Sequence, residues 1–124
     1  MYEQELQETP DDIVALNSLG ILCAEYSKSG DAKDYFEQIL KLAPENASAL
    51  NNMGNLEYLN SDYEKAQLYY KKAADADPQD GRINLNLARV AWKMGKKEDV
   101  TVYLKKAVTL SPELQETADL IKLQ

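Results

Sequence analysis

The 124-residue chain contains no histidine. The commonest general base and the commonest neutral metal ligand are therefore both missing. Cys23 is the only thiol. It cannot form a disulfide within the chain or contribute to a cysteine-rich zinc site, and it reads as a small buried apolar residue. No apolar run approaches the roughly 18 residues that a membrane span requires, and the N-terminal "MYEQELQETP" is acidic and has no signal-peptide core. A membrane partner is not expected, and the expected setting is cytoplasmic. The formal net charge of −7 argues against nucleic acid as the main partner, because phosphate binding needs a cationic surface. The chain lacks a glycine-rich phosphate loop. Its carboxylates are spread as surface charge, and the run "TPDD" reads as a turn and cap. The expectation is a non-enzyme with no catalytic residues, no metal site and no cofactor.

What the chain does contain is one period. Its prolines are Pro10, Pro44, Pro78 and Pro112, each 34 residues from the last. Leu19, Met53 and Leu87 keep this interval, as do Gly20, Gly54 and Ala88. So do Ala32, Ala66 and Val100, and Phe36, Tyr70 and Leu104. A fixed period of this length is the signature of a repeat architecture.

Each period holds two helical patterns. Leu50, Met53, Gly54 and Glu57 fall at i, i+3, i+4 and i+7 of a first helix, and Ala66, Tyr70, Ala73 and Ala74 form one face of a second. Between them lies "NSDY", where Ser61 or Asp62 can cap the second helix. Proline ends that helix, since it lacks an amide donor and restricts the residue before it. Asp12, Asn46 and Asp80 each stand two residues after a proline and are candidate N-caps for the next first helix. The small-residue column Gly20/Gly54/Ala88 lets the two helices of a repeat approach closely, with the Phe36/Tyr70/Leu104 column supplying bulk opposite. A large side chain at Gly54 should overpack this crossing, so Gly54→Leu is expected to lower the thermal midpoint more than Gly54→Ala. Two departures stand out. The glycine expected at the turn of the first repeat stands at Gly30, about three residues later than Gly95 suggests. This predicts a longer first helix there, with the second helix beginning at Asp31. In the third repeat Asn84 occupies the Leu16/Leu50 column.

The proline spacing, the Leu-Gly pair, the later alanine and the aromatic together resemble the tetratricopeptide repeat, or TPR. "ALNNMGNLEYLNSDYEKAQLYYKKAADADPQD" is similar to that family's pattern along its whole length. The resemblance implies an all-α fold, a right-handed superhelical α-solenoid of antiparallel helix pairs. The expected boundaries are 11–46, 47–80 and 81–112 for three repeats and 113–124 for a C-terminal capping helix. Residues 1–10 would be part of a second helix, with Tyr2 in the Phe36 column and Leu6 in the Leu40 column. Lys122 fills the small-residue column of the last helix, which therefore reads as a terminal cap.

The family mostly binds peptides and proteins, and its first helices line the concave side. That side holds Asn17, Ser18, Ile21, Ala24 and Glu25 in the first repeat. The second repeat gives Ser48, Asn51, Asn52, Asn55, Tyr58 and Leu59. The third gives Arg82, Leu85, Asn86, Arg89, Trp92 and Lys93. Asparagine is a mediocre helix former, so its recurrence at Asn17, Asn51, Asn52, Asn55 and Asn86 asks for a use. Its amide can read the main chain of an extended peptide, or it can join adjacent repeats. Charge is uneven as well. Residues 1–46 carry three Lys/Arg against ten Asp/Glu, residues 47–80 three against six, and residues 81–124 eight against five. Arg82, Arg89 and Lys93 lie on one helical face near Tyr58 and Trp92, a combination suited to a carboxylate and an apolar side chain. Family members that clamp the C-terminal carboxylate of chaperone tails carry Lys and Asn, then Asn, then Lys and Arg in successive repeats. Here those places hold Asn17, Ile21, Asn52, Arg82 and Asn86. Asn17, Ile21 and Asn86 depart from that pattern, so the expected ligand is another acidic peptide or protein segment. A different expectation is self-assembly into homo-oligomers through exposed solenoid ends, where Tyr2 and Leu6 would have little cover and the acidic first half of one molecule would meet the basic third repeat of another.

Overall fold

A computed structural model describes residues 12–123. The expectations for Tyr2, Leu6 and the segment 1–10 lie outside the described residues. Among the described residues seven α-helices follow one another: α1 Ile13–Glu25, α2 Ser29–Leu42, α3 Ala47–Leu59, α4 Tyr63–Ala76, α5 Gly81–Lys93, α6 Lys97–Leu110 and α7 Gln115–Lys122. The first helices α1, α3 and α5 each have 13 residues, and the second helices α2, α4 and α6 each have 14. The first-helix starts, Ile13, Ala47, Gly81 and Gln115, keep the interval of the prolines.

The ends of the helices follow from side-chain chemistry. The Asp12 carboxylate accepts from the amides of Val14 and Ala15 at 2.9 and 3.2 Å. Asn46 accepts from Ala49 at 2.9 Å and Asp80 from Arg82 at 3.0 Å. These caps satisfy amides that have no partner within the helix. At the start of α4 the cap is Asp62, which accepts from Lys65 at 3.2 Å. Ser61 instead bends the chain. The position equivalent to Asp12, Asn46 and Asp80 before α7 is Leu114, which has no accepting side chain. The chain enters α7 there through a 3-10 turn, Pro112–Leu114.

The turn of the first repeat differs from the sequence expectation. The helix α1 is no longer than its counterparts, and α2 begins at Ser29 rather than Asp31. Gly30 lies inside α2. The left-handed residues of the three turns are Ser27, Ser61 and Gly95, with φ of 61°, 61° and 74°. They again share one column. The amides that follow bond back across the turn, Lys28 to Cys23, Asp62 to Glu57 and Lys96 to Ala91, at 2.8, 2.9 and 2.9 Å. This is the Schellman arrangement, which needs a residue in the left-handed region. Glycine enters it freely and serine at some strain, so the geometry of the turn, not the presence of glycine, sets its position.

Within a repeat the two helices pack against each other, and the second helix of one repeat packs on the first helix of the next. The result is an α-solenoid of antiparallel helix pairs. A Cβ built on Gly20 would collide with the Phe36 ring, and one on Gly54 would lie 2.6 Å from Cδ1 and Cε1 of Tyr70. In the third repeat Ala88 and Leu104 are buried in the same cluster. The pairing is therefore Gly with an aromatic and Ala with Leu. At the last repeat, Ala118 and Ile121 of α7 bury themselves against Leu85, Ala88 and Leu104, while Lys122 stays exposed. Covering the last apolar face in this way is what a stacked array requires. Glu57 is buried on α3 and lies 3.8 Å from Nζ of Lys33 on α2, a charge contact between the first two repeats.

Candidate functional site: the face of the first helices

Because α1, α3 and α5 repeat at constant stride, their matching residues line up across the array. The asparagines do more than line up. Asn52 donates from Nδ2 to Oδ1 of Asn17 at 3.1 Å, and Asn86 donates from Nδ2 to Oδ1 of Asn51 at 2.9 Å. Both bonds span 35 residues, one more than the period. Each therefore crosses from one column to its neighbour in the next repeat. The ladder ends at Leu85, which takes the Asn17/Asn51 column in the third repeat. Leu85 is buried against α7, beside Ala118 and Ile121. The column is polar where a repeat follows and apolar where the cap docks. Of the two uses open to these amides, joining repeats is the one observed. A carboxamide has two N–H groups and two acceptor sites, so capacity for a ligand remains on each.

The ladder also holds a cation. Arg89 donates from Nη1 to Oδ1 of Asn86 at 3.2 Å, giving a relay from Arg89 through Asn86 to Asn51. Arg89 is half-buried and forms no ion pair among the described residues. Arg82 is different. Its Nε lies 3.4 Å from the Asp80 carboxylate, and its side chain is 79% exposed. Part of its charge is thus already answered by the residue that caps its own helix. A charged N-cap two residues before an arginine was the sequence signal for this pair.

Two depressions lie on this face. One, of about 460 Å³, is lined by Ile21, Ser48, Asn51, Asn52, Asp80, Arg82, Leu85, Asn86, Arg89 and Leu114. The other, of about 260 Å³, is more apolar and is lined by Ile21, Ala24, Glu25, Phe36, Asn52, Asn55, Leu56 and Leu59. Ile21 and Asn52 border both. The structure thus gathers Ile21, Asn51, Asn52, Arg82, Asn86 and Arg89 at one depression, and Asn55 at its neighbour. Asn17 stands behind Asn52 as its hydrogen-bond acceptor.

Besides Asn17, the candidate residues Tyr58, Trp92 and Lys93 line neither depression. Tyr58 packs edge-on against Tyr63, ring centroids 5.5 Å apart, beside the core of the second and third repeats. Lys93 places its Nζ 5.4 Å from the centroid of Trp92, so these two exposed side chains engage each other. Sequence reasoning did not foresee Asp80 as a neutralising partner or Leu114 as part of the wall.

Asn55 is fixed from behind. The Tyr70 hydroxyl donates to its Oδ1 at 2.5 Å. Burial holds the Tyr70 phenol well above its ordinary value of about 10, and the neighbouring Tyr58 pushes in the same direction while Arg89 opposes it. Tyr70 therefore stays a neutral donor. Its ring fills the space left by Gly54, and its hydroxyl orients an amide on the face of the first helices.

Comparisons with known proteins agree with this geometry. Two descriptions of the tetratricopeptide repeat match, over residues 27–81 and 57–113. No match is found among curated protein sequences. Among solved structures, the chain is similar to YrrB, described as a TPR protein with an unusual peptide-binding site. The TM-score is 0.87 at 21% identity, over 98% of this chain and 62% of that one. It is similar to SycD, the type III secretion translocator chaperone of Yersinia enterocolitica, with a TM-score of 0.80 at 20% identity, over 92% of this chain and 81% of that one. A third likeness is to the O-GlcNAc transferase of Thermobaculum terrenum, with a TM-score of 0.77 at 26% identity, over 81% of this chain and only 19% of that one. The chain spans 62% of the length of YrrB. With three helix pairs at one stride, a capping helix and repeat matches that together run from residue 27 to residue 113, the chain belongs to the tetratricopeptide repeat family.

Proposed function

We propose that the chain is a non-catalytic protein-interaction scaffold whose first-helix face binds an extended, acidic peptide or protein segment. The observation that carries this reading is Arg89, a half-buried guanidinium held by Asn86 at the wall of a polar depression and paired with no carboxylate among the described residues. A cation oriented in this way is prepared for a carboxylate, because a charge-assisted bond to it requires little reordering. The free amide capacity of Asn51 and Asn52 suits a peptide main chain. The adjoining apolar depression at Ile21, Leu56 and Leu59 suits an aliphatic side chain one or two residues away. The likeness to YrrB, itself described as peptide-binding, and to a secretion chaperone points in the same direction.

The test is a peptide-array screen followed by fluorescence anisotropy on the strongest binder. Acidic peptides should be selected, and their affinity should fall as salt rises. Arg82→Ala with Arg89→Ala should weaken binding by at least about tenfold, the equivalent of about 1.4 kcal/mol. Unchanged binding by the double variant refutes the assignment. Sedimentation at several concentrations separates this function from self-assembly, which would show strong concentration dependence without added peptide.

A further inference from the structure

A larger cavity than either depression lies away from the first-helix face. It measures about 640 Å³ and sits where the end of α4, the start of α5 and the outer side of α6 meet. It shares no lining residue with the two depressions described above. Its counterpart one repeat earlier measures about 440 Å³ and is lined in the same register, with Pro44, Leu50 and Lys72 in the places of Pro78, Asn84 and Lys106. The groove is thus a product of the stacking, and its contents differ between the two copies in two respects.

The first difference is Asn84. It occupies the column of Leu16 and Leu50, which are buried at 0% and 5% exposure, and is itself only 7% exposed. The fold accepts leucine here twice. Among the described residues no hydrogen bond reaches the Asn84 carboxamide, and neither of its side-chain polar atoms is sealed from solvent. The body of Asn84 is buried while its amide stays accessible and unbonded to protein, so an amide is on offer at the groove where the repeat elsewhere carries leucine. The second difference is charge. Both repeats carry a lysine pair in these columns, Lys71 with Lys72 and Lys105 with Lys106, but the earlier groove sets Glu45 and Asp75 against its lysines, whereas Gln79 takes the Glu45 column beside the Asn84 groove and leaves Asp75 alone there. Neither Lys105 nor Lys106 forms an ion pair among the described residues. The remaining walls are largely aliphatic, from Ala74, Pro78, Val102 and Leu110.

We propose that this groove is a second binding site, independent of the first-helix face, for an acidic peptide that inserts one aliphatic side chain. Asn84 then bonds the peptide main chain at the floor, and Lys105 and Lys106 receive a flanking carboxylate at the rim. Of the two grooves, the later one combines the unpartnered amide with lysines opposed by a single carboxylate, which selects both the ligand and the repeat that takes it.

The probe is acetyl-Asp-Leu-Glu-amide, titrated to millimolar concentration into the full chain and followed by amide NMR. Acetyl-Lys-Leu-Lys-amide is the control. The side-chain amide of Asn84 and the backbone amides of Lys105, Lys106 and Thr109 should shift saturably with the acidic peptide and not with the basic one. Asn84→Leu should weaken binding by at least about tenfold while keeping the helical circular dichroism and raising the thermal midpoint. Lys105→Glu with Lys106→Glu, changes confined to exposed positions, should weaken it similarly. Arg82→Ala with Arg89→Ala should leave these shifts in place. An unmoved Asn84 side chain, equal binding of the basic peptide, or full affinity in Asn84→Leu or in the double lysine variant overturns the proposal.

Discussion

Replacing Gly54 by alanine tests the packing rule that sets the distance between the helices of a repeat. A Cβ at this position lies 2.6 Å from Cδ1 and Cε1 of Tyr70, whereas carbon atoms in good contact lie about 3.5 Å or more apart. The ring must therefore retreat by about 0.9 Å, and its hydroxyl is anchored at 2.5 Å to Asn55. Overpacking of this kind costs about 1–3 kcal/mol. Removing a glycine from a helix interior returns about 1 kcal/mol. Gly54→Ala should thus destabilise the chain by about 1 kcal/mol, with Gly54→Leu losing clearly more. The third repeat already shows the remedy, since Ala88 is paired there with Leu104. In a Tyr70→Leu background the collision is gone, and Gly54→Ala should stabilise by about 1 kcal/mol. The double-mutant coupling should then equal the overpacking term, about 1–3 kcal/mol. Urea unfolding followed by Trp92 fluorescence and circular dichroism measures it, since 1 kcal/mol moves the midpoint by about 0.3–1 M for a chain of this size. If Gly54→Ala raises the midpoint equally in both backgrounds, the close crossing does not exist.

Three further outcomes follow from the same structure. Stability should decline as pH rises past about 10, because the unfolded Tyr70 phenol ionises there while the folded one, raised by burial, keeps its proton. Tyr70→Phe should start less stable but lose less between pH 9 and 11 in thermal melts, values chosen to bracket the ordinary phenol range of about 10, and an equal loss would contradict the shift. Gly95→Ala should cost about 1 kcal/mol and Ser61→Gly should raise the melting temperature, since both positions hold left-handed φ, 74° and 61°. The same melting temperature in each would show that the turns relax. Removing Asn51 by Asn51→Ala should cost about 1 kcal/mol in denaturant and broaden the Arg89 side-chain NMR signal, because the relay through Asn86 loses its end. No change in either reading would mean that the ladder carries no energy.

Much of this architecture was legible in the sequence because period, proline and cap residues act locally. A proline ends the helix that precedes it, and Asp12, Asn46 and Asp80 start one by a bond to amides two or three residues on. The small column facing the aromatic column was legible for the same reason, since both recur at one interval. What escaped was set by contacts that do not follow the interval. Glycine does not mark the turn at Ser27, because the Schellman bonds fix the left-handed residue and accept serine. The asparagine ladder runs between neighbouring columns 35 residues apart, so comparing residues within a column shows five asparagines and no pairs. Arg82 looked like a free cation until its bond to Asp80 appeared. Tyr58, Trp92 and Lys93 share the helical face of the site by spacing, yet each finds a nearer partner. The distinct role of Asn84 was visible only as a break in a leucine column. The cavity that gives the break a meaning is made by three helices together.

The most direct test of the central claim is to map a bound acidic peptide on the chain by backbone-amide chemical shifts, using the strongest binder from the array. The account predicts the largest changes at Ile21, Asn52, Asn86 and Arg89, on α1, α3 and α5 alike, and their loss in Arg82→Ala with Arg89→Ala. Changes concentrated on α2, α4 and α6, with those four residues silent, would contradict it.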